Sequence, residues 1–387
     1  MPMDVRLQHK QEERLRVGTV LWKRKISEGV FNPLAVVDRY LILESEGYLY
    51  AFNAINGTMA DEAEYGLRMK GVNAHYFSFS GLSSSEIAAV ADTPPEIRPP
   101  MTSRIWDVSS KQQIYTKNGD IVGAPLTMGK KAFFGFINEW GRSYMIAFDL
   151  AGRRVLWERE LDGHRIILKF PPVTDGENIY CRTLSHLVAI SADDGRSTWV
   201  TKLTGKEKEE GYRDTIYFSA PLIHDRNVYL LRDEYLIPYR TNNGQTHYNS
   251  WRRYLGSIGP NAVEAASVPI VSRGRMYTAG GLYFLNGSMQ AACGDTGGYS
   301  RIAAVDLSEK RTLWETDIDR VNVRKIVIAG KFLIIADHQG RVLCLSSATG
   351  RSLWGAELEG GVQVNPVVWF GRAFFGTDQG WLYCMAL

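Results

Sequence analysis

What this 387-residue sequence lacks narrows its class before any motif is weighed. No stretch approaches the roughly 18 consecutive apolar residues that a membrane-crossing helix needs, so no membrane span is expected. The charged N-terminus is not followed by the apolar core of a secretory signal, which predicts a cytoplasmic chain. Neither sign of charge dominates: 45 Lys and Arg face 42 Asp and Glu, interspersed, for a balance of +3. A nucleic-acid surface would show a basic stripe, so no nucleic-acid partner is expected. Cysteine is scarce. Cys181, Cys293, Cys344 and Cys384 form no CxxC or Cys/His ligand set, and Cys181, Cys344 and Cys384 fall in strand patterns as reduced core thiols. No segment sustains a 3.6-residue apolar period, which argues against helices. The sequence holds no HExxH, Walker A, GxGxxG or nucleophile-elbow motif. Cys293-Gly-Asp-Thr-Gly-Gly298 has Thr where a serine-protease loop has Ser, and Asp295-Thr-Gly has no second carboxylate frame. Both are read as accidents of a glycine-rich loop.

What the sequence does contain is a repeat. Small-residue turns are followed, usually four residues on, by an aromatic: Gly18 to Trp22, Gly195 to Trp199 and Gly350 to Trp354, with variants ending at Trp157 and Trp314. Weaker copies end at Tyr115 and Tyr248, and Asp61 fills the slot after Asn56-Gly57. Successive slots lie 39, 54, 42, 42, 49, 66 and 40 residues apart, close to the period of a propeller blade. Within a unit such as 325–354, four short β-rich runs are separated by Gly, His-Gln-Gly and Ala-Thr-Gly turns. A lone four-stranded meander has two apolar faces and two edges that water cannot satisfy. Packing eight around an axis buries the faces. The expected fold is all-β: an eight-bladed β-propeller of four-stranded antiparallel blades, strands A (inner) to D (outer), with the aromatic slot as a packing device. The last unit supplies only three strands and Gly18 to Trp22 is an orphan outer strand, so the last blade should be closed by the N-terminal strand. Residues 1–16 form a polar tail and 17–387 a single domain.

The runs Asp149-Leu-Ala-Gly-Arg-Arg-Val-Leu-Trp157 and Ala348-Thr-Gly-Arg-Ser-Leu-Trp354 resemble the repeat of the pyrroloquinoline-quinone (PQQ)-type propellers, a family of quinoprotein alcohol dehydrogenases and an outer-membrane-assembly lipoprotein. The resemblance covers nearly the whole chain and concerns residues that build blades, so it implies the fold more than a chemistry. It implies two functions: a platform for a protein partner, or oxidation with PQQ and calcium. Enzymes of the second kind characteristically use an adjacent Cys-Cys pair against the quinone, and no two cysteines here are adjacent. No cofactor is therefore expected, with PQQ and calcium as the alternative.

Insertions supply the functional clue. A-to-B and C-to-D turns emerge on one face of a propeller, B-to-C turns and D-to-A links on the other. The long segments Met59 to Ala74, Thr93 to Ser103, Thr204 to Thr215 and Gly280 to Ser300 fall in the second class. Long loops in a compact fold are usually functional or disordered, so that face is taken as the working one. Tyr283, Phe284 and Tyr299 in the longest loop suggest a lid or a partner anchor. Aligning inner strands on their X-Pro dipeptides or equivalents puts Asn32, His75, Lys169, Ser219, Glu264, Arg324 and Asn365 around the channel mouth. Lys169 and Arg324 suit an anion. His75 and Glu264 suit acid/base work. The function expected is binding of a protein or small-molecule ligand at this top face. The alternative is a cofactor-independent cyclase, lyase or transferase working at the mouth.

Overall fold

Alternating small and bulky residues between glycine turns give short antiparallel strands, and in the computed structural model all regular structure among the described residues is strand. The structure describes residues 17–26, 35–37, 39–45, 48–60, 74–79, 88–92, 102–107, 112–138, 140–161, 172–183, 185–203, 220–232, 235–246, 270–282, 284–285, 288–289, 299–309, 311–319, 323–362 and 364–387.

Eight sheets of three or four consecutive strands occur among these residues, numbered here in chain order. Sheet 1 comprises Ala35–Val37, Tyr40–Ser45 and Tyr48–Asn53; sheet 2 Ala74–Phe79, Ala88–Asp92, Thr102–Asp107 and Gln112–Asn118; sheet 3 Asp120–Met128, Lys131–Ile137, Ser143–Asp149 and Arg154–Glu160. Sheet 4 runs Val173–Thr174, Asn178–Arg182, His186–Ser191 and Ser197–Lys202, and sheet 5 Leu222–His224, Asn227–Arg232 and Tyr235–Arg240. Sheet 6 holds Ile270–Ser272, Arg275–Leu282, Tyr299–Asp306 and Arg311–Asp319, and sheet 7 Val323–Ala329, Phe332–Asp337, Arg341–Ser346 and Ser352–Glu357. Sheet 8 takes Val367–Trp369, Arg372–Gly376 and Trp381–Ala386 from the end of the chain and its outer strand, Val20–Lys25, from the beginning. Single bridges Phe52 to Met59 and Tyr239 to Thr246 start an outer strand in sheets 1 and 5.

Each core lies between two sheets. Phe133 and Met145 of sheet 3 meet Ile179 and Val188 of sheet 4, and Tyr180 and Leu187 on the other side of sheet 4 meet Val228 and Leu230 of sheet 5. The same two-sided burial joins sheets 5 and 6 through Tyr229 and Met276, 6 and 7 through Ile302 and Leu333, 7 and 8 through Ile334 and Phe375, and 8 and 1 through Phe374 and Leu41. Burying both faces lets central strands read as continuous apolar runs such as Phe332–Asp337.

The repeated aromatic locks one sheet to the next. Trp22, Trp157, Trp199 and Trp314 donate their indole N–H to the carbonyls of Ala54, Ala192, Thr241 and Ser347, in the C-to-D turn of the following sheet, at 3.4, 3.2, 2.7 and 3.1 Å. The glycine of that turn lies under the indole. A Cβ on Gly57, Gly195 or Gly350 would come within 2.5–2.7 Å of the ring, and each has a φ near +70°. Tyr115 fills the slot of sheet 2 by ring packing alone, 5.3 Å from Phe148 of sheet 3, and burial, helped by the charge of Glu158, pushes its phenol up to about 12. The slots at Asp61 and Tyr248 lie outside the described residues.

Two further details recur with the slot. The residue before it (Leu21, Ile114, Leu156, Thr198, Leu313, Leu353) is skipped in the C–D register, a bulge that turns the outer strand. Opposite the tryptophans stand only small residues: Ala147, Ala189, Ala304, Cys344 and Cys384. Cys344 and Cys384 therefore serve as alanine-sized wall, and burial pushes both thiols up to about 12. Cys181, Cys344 and Cys384 are buried and free, as expected; Cys293 lies outside the described residues.

Where the chain ends meet, the same turn is rebuilt from two pieces. Gly18 N–H donates to the Ala386 carbonyl at 2.9 Å, as Gly350 donates to Ser346 at 2.8 Å within a continuous turn, and Gly18 lies under Trp354. The acceptor position corresponding to Ser347 is Leu387, and the Trp354 indole N–H has no hydrogen-bond partner.

One expectation needs adjusting. The Gly280 to Ser300 segment is not loop throughout: Gly280–Leu282 pair with Tyr299–Arg301, so strands B and C of sheet 6 run on and the connection is 283–298, containing a small ribbon of Phe284–Leu285 against Ser288–Met289. On the opposite face, expected to carry mostly tight turns, the longer link is 80–87 between strands A and B of sheet 2.

Gly330 has φ +59° and open space where a methyl would stand, so Gly330→Ala should cost about 1 kcal/mol of backbone strain. Gly350→Ala should cost about 1–3 kcal/mol more, because the methyl meets Trp314; equal urea midpoints for the two would refute the interlock. Cys344→Ala should cost about 1 kcal/mol or less and Cys344→Leu about 1–3 kcal/mol, and maleimide should label neither Cys344 nor Cys384 at pH 8 until the chain unfolds.

Candidate functional site

Inner strands begin where proline ends. In sheets 1, 5, 6 and 8 the first strand starts one or two residues after Pro33, Pro221, Pro269 or Pro366, which cannot donate to a ladder. In sheets 2 and 7 the strand runs through the same alignment position and bulges there. His75 is skipped between the pairs Ala74–Asp92 and Tyr76–Ala91, and Arg324 between Val323–Asp337 and Lys325–Ala336. In sheet 3 the register also slips around Ala124-Pro125. Bulges concentrate beside functional sites, where they re-aim one side chain.

The turn that faces the Arg324 bulge is well defined. Val323, next to Arg324, pairs with Asp337 at the end of strand B of sheet 7, where the chain turns through His338-Gln339-Gly340. Asp337 is fully buried. Its Oδ1 accepts the N–H of Gln339 at 2.9 Å and of Arg341 at 2.8 Å, and its Oδ2 accepts from Arg341 Nε at 2.8 Å. Sheet 8 turns in the same way through Thr377-Asp378-Gln379-Gly380, with Thr377 as the buried cap. Asn138 and Thr183 cap the corresponding turns of sheets 3 and 4. A short polar side chain at the end of strand B thus fixes each turn.

The link 358–361 threads between these two turns. Gly361 N–H donates to Asp378 Oδ1 at 2.8 Å, Asp378 N–H to the Gly361 carbonyl at 2.9 Å, and Val362 N–H to the Asp337 carbonyl at 2.9 Å. A Cβ on Gly361 would land on the His338 carbonyl oxygen, so only glycine fits. His338 and Asp378, at equivalent turn positions in adjacent sheets, are thereby fixed on either side of one crossing. His338 Nδ1 is buried without a hydrogen-bond partner, a group that an added water, ion or ligand would satisfy. Asn365, exposed, follows the crossing at the start of the inner strand of sheet 8.

The structure thus brings Arg324 and Asn365 to one sector, between sheets 7 and 8. His75 occupies the equivalent bulge in sheet 2. Phe284 lies in the small ribbon and Tyr299 opens strand C of sheet 6. Asn32, Lys169, Ser219, Glu264 and Tyr283 lie outside the described residues, and with Glu264 goes the expected acid/base pair with His75. The sequence reading missed His338 and Asp378. Their signal was the near-repeat Asp337-His-Gln-Gly and Thr377-Asp-Gln-Gly, of which only His-Gln-Gly entered the sequence analysis, as turn punctuation. It also missed Arg182 at the end of strand B of sheet 4, which is 9% exposed and whose guanidinium burial draws down to about 10.

The described cysteines are separate core thiols opposite or beside apolar side chains, no two cysteines are adjacent in sequence, and no cluster of metal-ligating side chains occurs among the described residues.

Asp337→Ala removes three hydrogen bonds from a buried carboxylate and leaves Arg341 uncompensated. It should cost about 3 kcal/mol, the low end for a broken buried pair because Arg341 keeps contact with water. Asp337→Asn, which keeps an acceptor oxygen, should cost less; equal losses in urea unfolding would show that the carboxylate does not organise the turn.

No curated protein matches the chain. A family model described as outer membrane protein assembly factor BamB matches residues 141–292 and 292–356, more than half of the chain. Among solved structures, the computationally designed Ika8 protein superposes with a TM-score of 0.67 at 11% identity, over 96% of this chain and 100% of that one. The quinohemoprotein alcohol dehydrogenase of Comamonas testosteroni gives 0.65 at 14% identity over 95% of this chain and 76% of its own. A europium-containing methanol dehydrogenase gives 0.60 at 12% identity over 95% and 93%. At these identities the structural likeness concerns the fold. With sheets of consecutive antiparallel strands, Trp-over-Gly locks between them and a family model spanning most of the repeats, this chain belongs to the PQQ-like β-propeller family.

Proposed function

We propose that the protein is a partner-binding platform: an eight-bladed ring, its last blade completed by the N-terminal strand, that holds a protein partner or small-molecule ligand at the end where B-to-C turns and D-to-A links emerge. One observation carries the reading. Sheets 1, 3, 5, 6, 7 and 8 turn from strand A to strand B in two residues, several with the positive φ of a tight hairpin turn, as at Arg273-Gly274. The opposite end of the same sheets carries 283–298 in sheet 6 and the D-to-A links 161–172, 203–221 and 247–269. Loop growth is cheap in entropy wherever it occurs, so growth biased to one end points to selection for what that end contacts. The description of the matching family model, an assembly factor, favours a protein partner. The sector between sheets 7 and 8 offers such a partner fixed polar groups on a scaffold held by Asp337 and Gly361.

A photo-crosslinking residue placed at Gln339 or Gln379 in the native host should capture one discrete protein, and the same residue at Lys130 or Arg226, on the tight-turn end, should capture none. Equal capture at both ends, or none at either, would dismiss the platform.

A further inference from the structure

We propose that sheet 8 is an opening seam and a strand-acceptor site: Val20–Lys25 detaches while the other sheets stay folded, and the edge of Trp381–Ala386 then takes an extended segment with a glycine followed four residues on by an aromatic. The N-terminal strand takes part in two Trp-over-Gly locks, and these are the two loosest among the described residues. Trp22 reaches the Ala54 carbonyl at 3.4 Å, against 3.2, 2.7 and 3.1 Å for the equivalent bonds of Trp157, Trp199 and Trp314. At the other end of the strand, a Cβ on Gly18 would stand 3.0 Å from the Trp354 ring, against 2.4–2.7 Å for the glycines under the other four tryptophans. The Trp354 indole N–H is also buried without a hydrogen-bond partner, a cost that the closed seam bears and an open one relieves. What else holds the strand lies at the surface. Lys23 pairs with Glu359 at 2.6 Å, Lys25 donates to the Gln379 carbonyl at 2.6 Å and Arg24 to the Gly57 carbonyl at 3.0 Å. Exposed contacts of this kind add little. In sheets 3, 4 and 7 strand D follows strand C through a short turn, whereas in sheet 8 the two come from opposite parts of the chain. Closing the seam therefore costs the entropy of a long loop.

The edge specifies what it accepts. Ala386 offers its N–H and carbonyl, which now bond the Thr19 carbonyl at 3.0 Å and the Gly18 N–H at 2.9 Å. Cys384 stands opposite the aromatic slot as a wall of alanine size. Gly57 of sheet 1 floors that slot, and the Trp354 ring covers the glycine position. Ladder bonds to an added strand give affinity, and the pockets for alternate side chains select its sequence. An incoming segment competes with the chain's own strand, whose effective concentration is roughly millimolar. The seam lies on the outer rim of sheet 8, goes beyond the platform function and does not rest on it.

Hydrogen exchange of the full chain in urea below the unfolding transition reads the opening. Amides of 18–25 should exchange about tenfold or more faster than those of 350–357, their counterparts in sheet 7, and the Ala386 amide, bonded to Thr19, faster than the Leu387 amide, bonded to Gly371. Equal protection of the two strands would overturn the seam. Trp314→Phe should lower the urea midpoint more than Trp354→Phe, since only Trp314 gives up a hydrogen bond; equal losses would count against the seam as well. A fluorescein-labelled peptide of residues 17–26 reads the acceptor. It should bind the Trp22→Ala chain, whose own strand has lost its anchor, about tenfold or more tightly than the wild-type chain, and the same peptide carrying Trp22→Ala should bind neither. Equal binding to the two chains, binding of the altered peptide, or no binding at all would overturn the acceptor. Crosslinking at Gln339 and Gln379 reports separately on the platform, so the two ideas can fail independently.

Discussion

The structure depends on one contact made repeatedly: a tryptophan on the outer strand of one sheet lies over a glycine in the turn of the next and donates its indole N–H to a carbonyl beside that glycine. The contact needs three things at once. The turn must take a positive φ without a Cβ, the residue opposite the indole must be alanine-sized, and the outer strand must bulge just before the ring so that it faces the neighbouring sheet. Glycine, alanine or cysteine, and the skipped residue supply them in successive repeats. The bulge has a second effect: it twists the outermost strand away from a flat edge, and flat edges invite pairing with other chains. In sheet 8, Lys23, Arg24 and Lys25 add charge to that edge.

Such a scaffold isolates the packing from whatever binds. Apolar side chains are committed to the cores between sheets, while the ends of strands are finished by local polar caps: Asn138, Thr183, Asp337 and Thr377 in sheets 3, 4, 7 and 8. Because each cap satisfies its own turn, the residues next to it are free to vary. That is how His338 and Asp378 come to differ at comparable turns without disturbing the sheets. The buried unsatisfied nitrogens of His338 and Trp354 both run against local preference, and such departures concentrate where a protein does something other than fold.

Much of this was legible in the chain. The Gly-to-Trp spacing marked the C-to-D turns, X-Pro dipeptides marked the starts of inner strands, and an unpaired strand pattern at 18–22 pointed to its partner at the other end of the sequence. Alignment alone also put His75 and Arg324 at equivalent places on their inner strands, which prove to be bulges. His338 and Asp378 were not, because a tetrapeptide turn reads as punctuation until the two turns are seen on either side of Gly361. The extension of sheet 6 through Gly280–Leu282 was missed because two glycines in a row suggest a loop, and pairing with Tyr299–Arg301 overrode that local preference.

Sequence alone determined what is periodic and short-range: strand and turn, the glycine that a positive φ demands, the position of each aromatic, and the kinship of the repeats. Tertiary structure decided what each aromatic rests on. The glycine four residues before Trp199 looks like its partner, yet Gly195 lies under Trp157 of the preceding sheet and Trp199 covers Gly244 of the next. A strand's side chains point toward its neighbours across the sheet face, and which neighbour stands there is set by how whole sheets stack, a relation between residues about forty positions apart that no local pattern encodes.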